Sequence, residues 1–153
     1  MKILLLAGTY EARIIAKVID KNLKYSLISS LAGITKNPIK ISKKMRCGGF
    51  GGQSGLAKFI SENNIYCIID ATHPFATKIS HNAKTVCNQL DIPYLLCERP
   101  PWIKTTKDKW FEIDNENQLK PYLSDGDLIF VASGRQSVAY FKSHKNIKLI
   151  CRQ

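Results

Sequence analysis

Short polar segments follow three apolar runs in the first hundred residues, and their residue types bind anions and hold protons. Gly8 and Thr9 follow the run KILLLA, Thr72 and His73 follow YCIIDA, and Arg46 opens the segment RCGGFGG. Glycine lets the backbone turn tightly, while threonine and the free N–H groups of a helix start can hold phosphate. Arginine pairs with phosphate or carboxylate, and histidine titrates near neutral pH. These residues indicate a site for an anionic ligand, with one side chain able to handle a proton.

Two of the segments also have a structural interpretation. Thr9 can cap the following helix, and Glu11 near the same helix start interacts favourably with the helix dipole. Pro74 suits the first position of a helix, which predicts His73 as the helix cap in an extended conformation. Asp70, which closes an apolar run, is expected to orient the loop. For Thr9 and His73 the sequence leaves a structural role and a ligand contact both open.

The glycine-rich segment RCGGFGG is by itself compatible with a linker, a tight turn or a phosphate cradle. Its position after a predicted strand brings it beside the other two segments. There Gly48, Gly49 and Gly51 let the backbone approach a flat ligand. Phe50 either stacks on a ligand ring or anchors the loop to the core. Arg46 is expected to pair with a cofactor phosphate or a substrate carboxylate.

Ser29 and Ser30 end the predicted second strand, where enzymes that prefer NAD usually carry an acidic residue for the ribose 2′-hydroxyl. No acid is present at this point of the sequence. The position therefore has room for a 2′-phosphate, with Arg46 or a nearby lysine as its partner.

Alternating strands and helices provide the scaffold that brings these segments together. Continuous apolar runs predict parallel strands at 2–7, 25–31, 39–45, 66–70 and 93–97. Apolar residues at helical spacing predict helices around 12–23, 56–60 and 76–90. Phe75 is expected in the core. The fold class is therefore α/β, with a doubly wound parallel (Rossmann-like) sheet whose ligands bind beyond the carboxyl ends of the strands.

A second, shorter part of the chain repeats the alternation. We expect an N-terminal Rossmann-like nucleotide-binding domain at 1–98, a linker at 99–110 and an incomplete second α/β domain at 111–153. The second part is predicted to contain strands at 110–113, 128–132 and 147–151 and helices at 115–123 and 136–143. The fold class thus includes part of a second Rossmann-like domain.

Candidate ligand-facing residues also occur at the start and in the middle of this second part. Arg99 lies in the proline-rich stretch ERPPW, where it belongs to a stiff hinge or faces a carboxylated ligand. Ser133, Gly134 and Arg135 follow an apolar strand in the same way as Gly8 and Thr9 do. This repetition predicts a second ligand-facing loop.

Composition narrows the function class. The formal net charge is +11, from 23 Lys+Arg against 12 Asp+Glu, which indicates an anionic partner. The basic residues are scattered, without an arginine-rich run or a basic stripe with interleaved aromatics, so a small polyanion is favoured over nucleic acid. The five cysteines form no C-x-x-C pair, which argues against a zinc site and for a reducing compartment. No apolar run has the length of a membrane span, and we expect a cytoplasmic protein.

Taken together, six segments resemble one family, the precorrin-6A reductases of cobalamin biosynthesis. The resemblance runs along the whole chain, and its segments are AGTYEAR (7–13), SLAG (30–33), RCGGFGG (46–52) followed by GL (55–56), DATHPFA (70–76) with IS and NA, ERPPW (98–102) and SGRQ (133–136). The combination of GGFGG and DATHPFA is its most specific part. Two departures are Ala7, where the family usually has a second glycine, and the length, because family members complete a second Rossmann-like domain.

The resemblance implies an NAD(P)H-dependent reduction of one double bond in a ring-contracted tetrapyrrole, which is bound between two Rossmann-like domains. The cofactor is NADPH or NADH, no metal is expected, and the macrocycle is precorrin-6A or its cobalt form. His73 or solvent supplies the proton. Residues implied at the cofactor are Gly8, Thr9, Glu11, Ser29, Ser30, Arg46, Gly48, Gly49, Gly51 and Thr72. Residues implied at the substrate are Phe50, His73, Arg99, Ser133, Gly134 and Arg135. The alternatives are a non-catalytic dinucleotide-binding fragment and a basic nucleic-acid-binding protein.

Overall fold

The chain divides into two compact units, Met1–Pro101 and Trp102–Gln153. A computed structural model describes residues 1–33, 39–100, 103–132, 135–141, 144 and 146–151. The first unit contains all the predicted site residues up to Arg99.

The first unit is built on a five-stranded, fully parallel sheet with the order β3-β2-β1-β4-β5. Its strands are β1 (Lys2–Ala7), β2 (Ser26–Leu31), β3 (Lys44–Cys47), β4 (Cys67–Ala71) and β5 (Tyr94–Leu96). The strands are rich in leucine, isoleucine and other apolar residues because both faces of the sheet are covered by helices. The predicted doubly wound parallel fold is confirmed.

Three helices cover the sheet: α1 (Tyr10–Asp20), α2 (Gly52–Asn63) and α3 (Thr77–Leu90). Successive strand residues point to opposite faces, so β1, β2 and β4 each contribute to two apolar clusters. Leu5 and Leu27 pack with Ala12 and Ala16 of α1 on one face. On the other face, apolar side chains of β1 and β4 pack with α2 and α3, through Leu4, Leu6, Ile68, Leu56 and Val86. The central strands β1 and β4 are thereby held rigidly, with their carboxyl ends side by side.

The third strand begins later than predicted, at Lys44 instead of residue 39. Side-chain hydrogen bonds hold the preceding residues in a loop. The Ser42 hydroxyl donates to the carbonyl of Lys44 at 2.7 Å, and the Lys43 N–H donates to Asp20 Oδ2 at 3.0 Å. Such local bonds compete with strand pairing.

The predicted start of α3 at Pro74 is wrong, because the helix begins at Thr77 with Ala76 at its cap. His73 and Ala76 instead close a turn, in which the Ala76 N–H donates to the His73 carbonyl at 2.7 Å. The turn carries Phe75 out of the core, and the prediction of a core position for Phe75 is also wrong, since its side chain is 85% exposed.

The second unit contains a two-stranded parallel sheet of β6 (Leu128–Val131) and β7 (Lys148–Cys151), with α4 (Arg135–Phe141) between them along the chain. The predicted helix at 115–123 is a 3₁₀ helix, Glu116–Tyr122, which includes Pro121. Proline cannot donate the backbone hydrogen bond that an α-helix interior requires. The strand predicted at 110–113 belongs to neither sheet of the described residues. Among the described residues, no helix has the length and apolarity needed to cross a bilayer.

Candidate functional site at the carboxyl ends of β1 and β4

The strand order places the topological switch point of the sheet between β1 and β4. From β1 the chain passes to α1 on one face, and from β4 it passes to α3 on the other face. The loops that leave the two strands therefore diverge and open a crevice at the carboxyl edge. Doubly wound proteins bind their ligands in this crevice.

Thr9 forms the wall of the crevice on the β1 side. Its hydroxyl accepts from the Ala12 N–H at 3.3 Å, as an N-cap does, and donates to the carbonyl of Ala71 at 2.8 Å. Thr9 thus ties the start of α1 to the end of β4. A Cβ added to Gly8 would lie 3.8 Å from the His73 nitrogen and 3.9 Å from the Thr72 Cα, so glycine here keeps space open toward the β4 loop.

Asp70 forms the base of the wall on the β4 side. It is fully buried, and its Oδ1 accepts from the Thr72 N–H at 3.0 Å and from the Thr72 hydroxyl at 2.7 Å. Its Oδ2 accepts from the Tyr94 hydroxyl at 2.7 Å. Burial, reinforced by the hydrogen bond to Asp70, raises the pKa of Tyr94 well above its ordinary value, so the phenol keeps its proton and remains a donor. The Thr72 hydroxyl also lies 3.3 Å from that of Ser80 on α3.

His73 is exposed on the turn that follows. Its Nδ1 accepts from the Phe75 N–H at 3.3 Å, and the two rings lie 5.0 Å apart between centroids. With Nδ1 used as an acceptor, the neutral imidazole carries its proton on Nε2. The turn thus presents an N–H donor and an exposed aromatic ring at the edge of the crevice.

The crevice contains a cavity of about 260 Å³. We call it the switch-point cavity, and its lining comes from the β1–α1 turn, from Thr72–Pro74 with the first turn of α3, and from Leu96–Arg99. Glu11 and Arg99 lie on its wall and form an ion pair at 2.7 Å. The hydrogen bond from Arg99 lowers the pKa of Glu11, and the same bond raises the pKa of Arg99. The structure thus joins these two side chains to each other on the cavity wall, and their ligand contacts stay predictions.

Arg46 lies at the end of β3, beside the end of β2. Its Nη1 donates to the Ser30 hydroxyl at 2.7 Å and its Nη2 donates to the Gly49 carbonyl at 2.9 Å. The guanidinium stacks on Phe50, 3.9 Å from the ring centroid. Partial burial lowers the pKa of Arg46 from its ordinary value, which leaves the side chain charged. Phe50 in turn packs edge-on against Phe59 of α2 at 5.2 Å, which favours the anchoring role for Phe50.

The glycine-rich loop between β3 and α2 is open on one side and tightly packed on the other. Added Cβ atoms at Gly48, Gly49 and Gly51 would meet nothing within 4 Å. In contrast, a Cβ at Gly55, in the first turn of α2, would lie 1.7 Å from the Phe50 carbonyl oxygen. Gly55 therefore lets the loop fold down onto the helix, and the sequence alone gave no sign of that contact.

Ser29 and Ser30 point to opposite faces of the sheet. Ser30 reaches Arg46, whereas Ser29 lies between Leu27 and Leu31 on the face covered by α1. Ser29 is fully buried, and its hydroxyl has no hydrogen-bond partner in the described part of the chain. The structure brings Ser30, Arg46 and Gly49 together but keeps Ser29 away from the surface.

The remaining predicted residues belong to the second unit. Ser133 and Gly134 lie outside the described residues, and Arg135 is the first residue of α4. Within the described ranges, no group of three or more His, Cys, Asp or Glu side chains is close enough to hold a metal ion.

The parallel order β3-β2-β1-β4-β5, with loops that carry hydroxyl, imidazole and guanidinium groups at its carboxyl edge, defines a Rossmann-like fold. Residues 2–153 match the family profile described as "Precorrin-6x reductase CbiJ/CobK". The chain belongs to this family, and the resemblance inferred from the six segments is confirmed.

Individual relatives agree with the family assignment. A precorrin-6A reductase from Sinorhizobium sp is 39% identical over 142 residues, which cover 92% of this chain and 54% of the relative. A precorrin-6A reductase from Mycobacterium tuberculosis is 45% identical, with coverage of 92% and 56%. A cobalt-precorrin-6A reductase from Priestia megaterium is 33% identical, with coverage of 98% and 60%. A solved structure described as CobK precorrin-6A reductase superposes with a TM-score of 0.89 at 31% identity and covers 99% of this chain and 61% of that one. The chain spans about half the length of the curated relatives that it matches.

Proposed function

We propose that this chain binds NADPH at the carboxyl edge of its five-stranded sheet and uses it to reduce one double bond of precorrin-6A or cobalt-precorrin-6A. Family membership supports the reaction class. The observation that carries the proposal is the switch-point cavity with Thr9, Thr72 and His73 on its wall. At about 260 Å³ it is smaller than a typical pocket for a whole ligand, so it suits one end of a dinucleotide that continues along the sheet edge.

The donor set at β2 and β3 supports NADPH over NADH. Ser30 stands where an acid would bind the ribose 2′-hydroxyl of NADH, and Arg46 is held next to it by the Ser30 hydroxyl and the Gly49 carbonyl. A guanidinium in this position attracts a 2′-phosphate, whereas an acidic residue would repel it. The open side of Gly49 gives the phosphate access to the backbone.

The protein's part in the reaction is to bind, orient and protonate. Bound NADPH supplies the hydride. His73 presents Nε2–H at the edge of the cavity, where the neutral ring can donate a hydrogen bond to the macrocycle and the imidazolium can donate a proton; solvent is the other proton source. The net charge of +11 attracts the acidic side chains of a tetrapyrrole. The five cysteines are free thiols, which fits a reaction in the cytoplasm.

The test separates cofactor binding from reduction. NADPH and NADH are titrated by the fluorescence of the reduced nicotinamide, and each tetrapyrrole is then added while NADPH absorbance is followed. We expect NADPH to bind more tightly than NADH and its absorbance to fall when one tetrapyrrole is added. Binding without oxidation would leave a non-catalytic dinucleotide-binding chain, and salt-dependent binding of DNA or RNA that NADPH does not affect would replace the proposal.

A further inference from the structure

The carboxylate of Asp70 is fully buried and does not line the switch-point cavity. A buried ionised carboxylate is unfavourable unless its oxygens are well hydrogen-bonded. An apolar side chain at the end of the apolar strand β4 would avoid this penalty. The presence of aspartate therefore calls for a role in which the hydrogen bonds themselves matter.

The hydrogen bonds around Asp70 connect β4, β5 and α3 to the turn at residues 72–76. Oδ2 accepts from Tyr94 on β5, and Oδ1 accepts from both the N–H and the hydroxyl of Thr72. The Thr72 hydroxyl lies 3.3 Å from that of Ser80 on α3. Thr72 immediately precedes His73, whose carbonyl and Nδ1 then form the turn that leads to α3. We call Asp70, Thr72, Ser80 and Tyr94 the carboxylate network.

We propose that the carboxylate network positions the turn at residues 72–76, and that Asp70 and Tyr94 are positioning residues for ligand binding at the switch-point cavity. They act through Thr72, which lines the cavity, and through His73, which follows it. The proposal that His73 meets NADPH and the tetrapyrrole rests on the proposed function. The proposal that the carboxylate network orders the turn does not depend on the proposed function.

The main variant is Tyr94→Phe, which removes the donor to Asp70 Oδ2 and leaves the ring in the core. Tyr66→Phe is the matched control, since Tyr66 is half exposed and precedes the opposite, amino-terminal end of β4. Thr72→Val removes the hydroxyl that donates to Asp70 Oδ1 and keeps the backbone N–H, and Thr72→Ser restores a hydroxyl at the same place. Losing one hydrogen bond to a charged group changes an equilibrium by at least roughly tenfold.

Amide hydrogen exchange measures the turn directly. In Tyr94→Phe and Thr72→Val we expect exchange within residues 72–76 to accelerate by about tenfold, while exchange in β1 and β2 stays unchanged. Thr72→Ser and Tyr66→Phe should behave as the wild-type protein. Unchanged exchange in the turn, or an equal acceleration over the whole first unit, would overturn the proposal.

Ligand measurements then test whether the order of the turn matters for function. We expect the Kd for NADPH and the kcat/KM of tetrapyrrole reduction to worsen about tenfold in Tyr94→Phe, whose changed side chain lies outside the cavity lining, and to keep the wild-type values in Tyr66→Phe. A loosened turn with unchanged Kd and kcat/KM would also overturn the positioning role. If the wild-type chain oxidises no NADPH with either tetrapyrrole, the proposed function fails, and hydrogen exchange together with the NADPH Kd still decides the role of the network.

Discussion

Replacing Arg46 is the most direct test of cofactor choice. The guanidinium has five N–H donors, and two hydrogen bonds within the described residues use Nη1 and Nη2. The remaining donors are available to a phosphate. A hydrogen bond to a charged group is worth about 1.5–3 kcal/mol, which corresponds to roughly a 10- to 150-fold change in Kd. In Arg46→Ala we therefore expect the Kd for NADPH to rise within that range.

NADH serves as the internal reference because it lacks the 2′-phosphate. Its Kd should change less than about threefold in Arg46→Ala, since only the general attraction of one positive charge is lost. Arg46→Lys should be intermediate for NADPH, because an ammonium group keeps the charge but not the planar stack on Phe50. Lys84→Ala, which removes a charge from the exposed side of α3, is the control for net charge and should leave both Kd values unchanged.

The assay is a fluorescence titration of both reduced nicotinamide cofactors at two salt concentrations, well below the unfolding temperature. The temperature matters because Arg46→Ala also loses its stack on Phe50 and two hydrogen bonds. We expect these losses to lower the unfolding free energy by about 1–2 kcal/mol. An equal loss of affinity for NADPH and NADH, or the same loss in Lys84→Ala, would show that Arg46 does not meet the 2′-phosphate.

Three further predictions concern the loops around the site. Gly55→Ala should unfold or strongly destabilise the first unit, because the new methyl group would lie 1.7 Å from the Phe50 carbonyl oxygen, and a stable Gly55→Ala protein would contradict this packing. Gly49→Ala, whose methyl group would meet nothing within 4 Å, should keep the wild-type thermal midpoint and weaken NADPH binding. Ser29→Ala should be neutral or stabilising by up to about 1 kcal/mol in urea unfolding, because it removes a buried hydroxyl that has no partner in the described residues, and a clear loss of stability would indicate a missing hydrogen bond. Arg99 lowers the pKa of Glu11, so the contribution of Glu11 to stability should be present above the ordinary pKa of 4.5 and disappear as the pH falls through the lowered pKa. In urea unfolding, the difference in unfolding free energy between the wild-type protein and Glu11→Gln should therefore vanish over that acid range. A difference that does not change with pH would refute the ion pair.

The parallel sheet was predictable because its signals are local. Continuous apolar runs such as KILLLA mark buried strands, and the predicted bounds of β1 agree with the structure at both ends. The beginning of β3 was not predictable in this way. It depends on the hydrogen bonds made by the Ser42 hydroxyl and the Lys43 N–H. The alternation of apolar and polar residues is the same whether this segment forms a strand or a loop.

The candidate site could be located from the sequence, but its internal contacts could not. The strand ends identified Thr9, Arg46 and His73, since the carboxyl edge of a parallel sheet collects whatever follows its strands. The bond between Asp70 and Tyr94 joins residues of two neighbouring strands, so it depends on a strand order that periodicity does not reveal. Its one indication in the sequence is a charged residue at the end of an apolar strand.

The prediction that α3 begins at Pro74 was wrong for a physical reason. Pro74 is compatible with the first turn of a helix, but it suits a tight turn equally well. The Asp70–Thr72 hydrogen bonds and the closure between His73 and Ala76 favour the turn, which delays α3 to Thr77. Phe75 leaves the core as a consequence.

The exposure of Phe75 makes the turn accessible to spectroscopy. Because the side chain is 85% exposed, the fold gains little from it, and a larger ring can replace it without repacking. The two tryptophans of the chain, Trp102 and Trp110, both belong to the second unit. A Phe75→Trp protein would therefore carry the single indole of the first unit next to His73 and Pro74, which line the switch-point cavity. The difference between its emission spectrum and that of the wild-type protein would report on the arrival of a ligand, because Trp102 and Trp110 contribute to both.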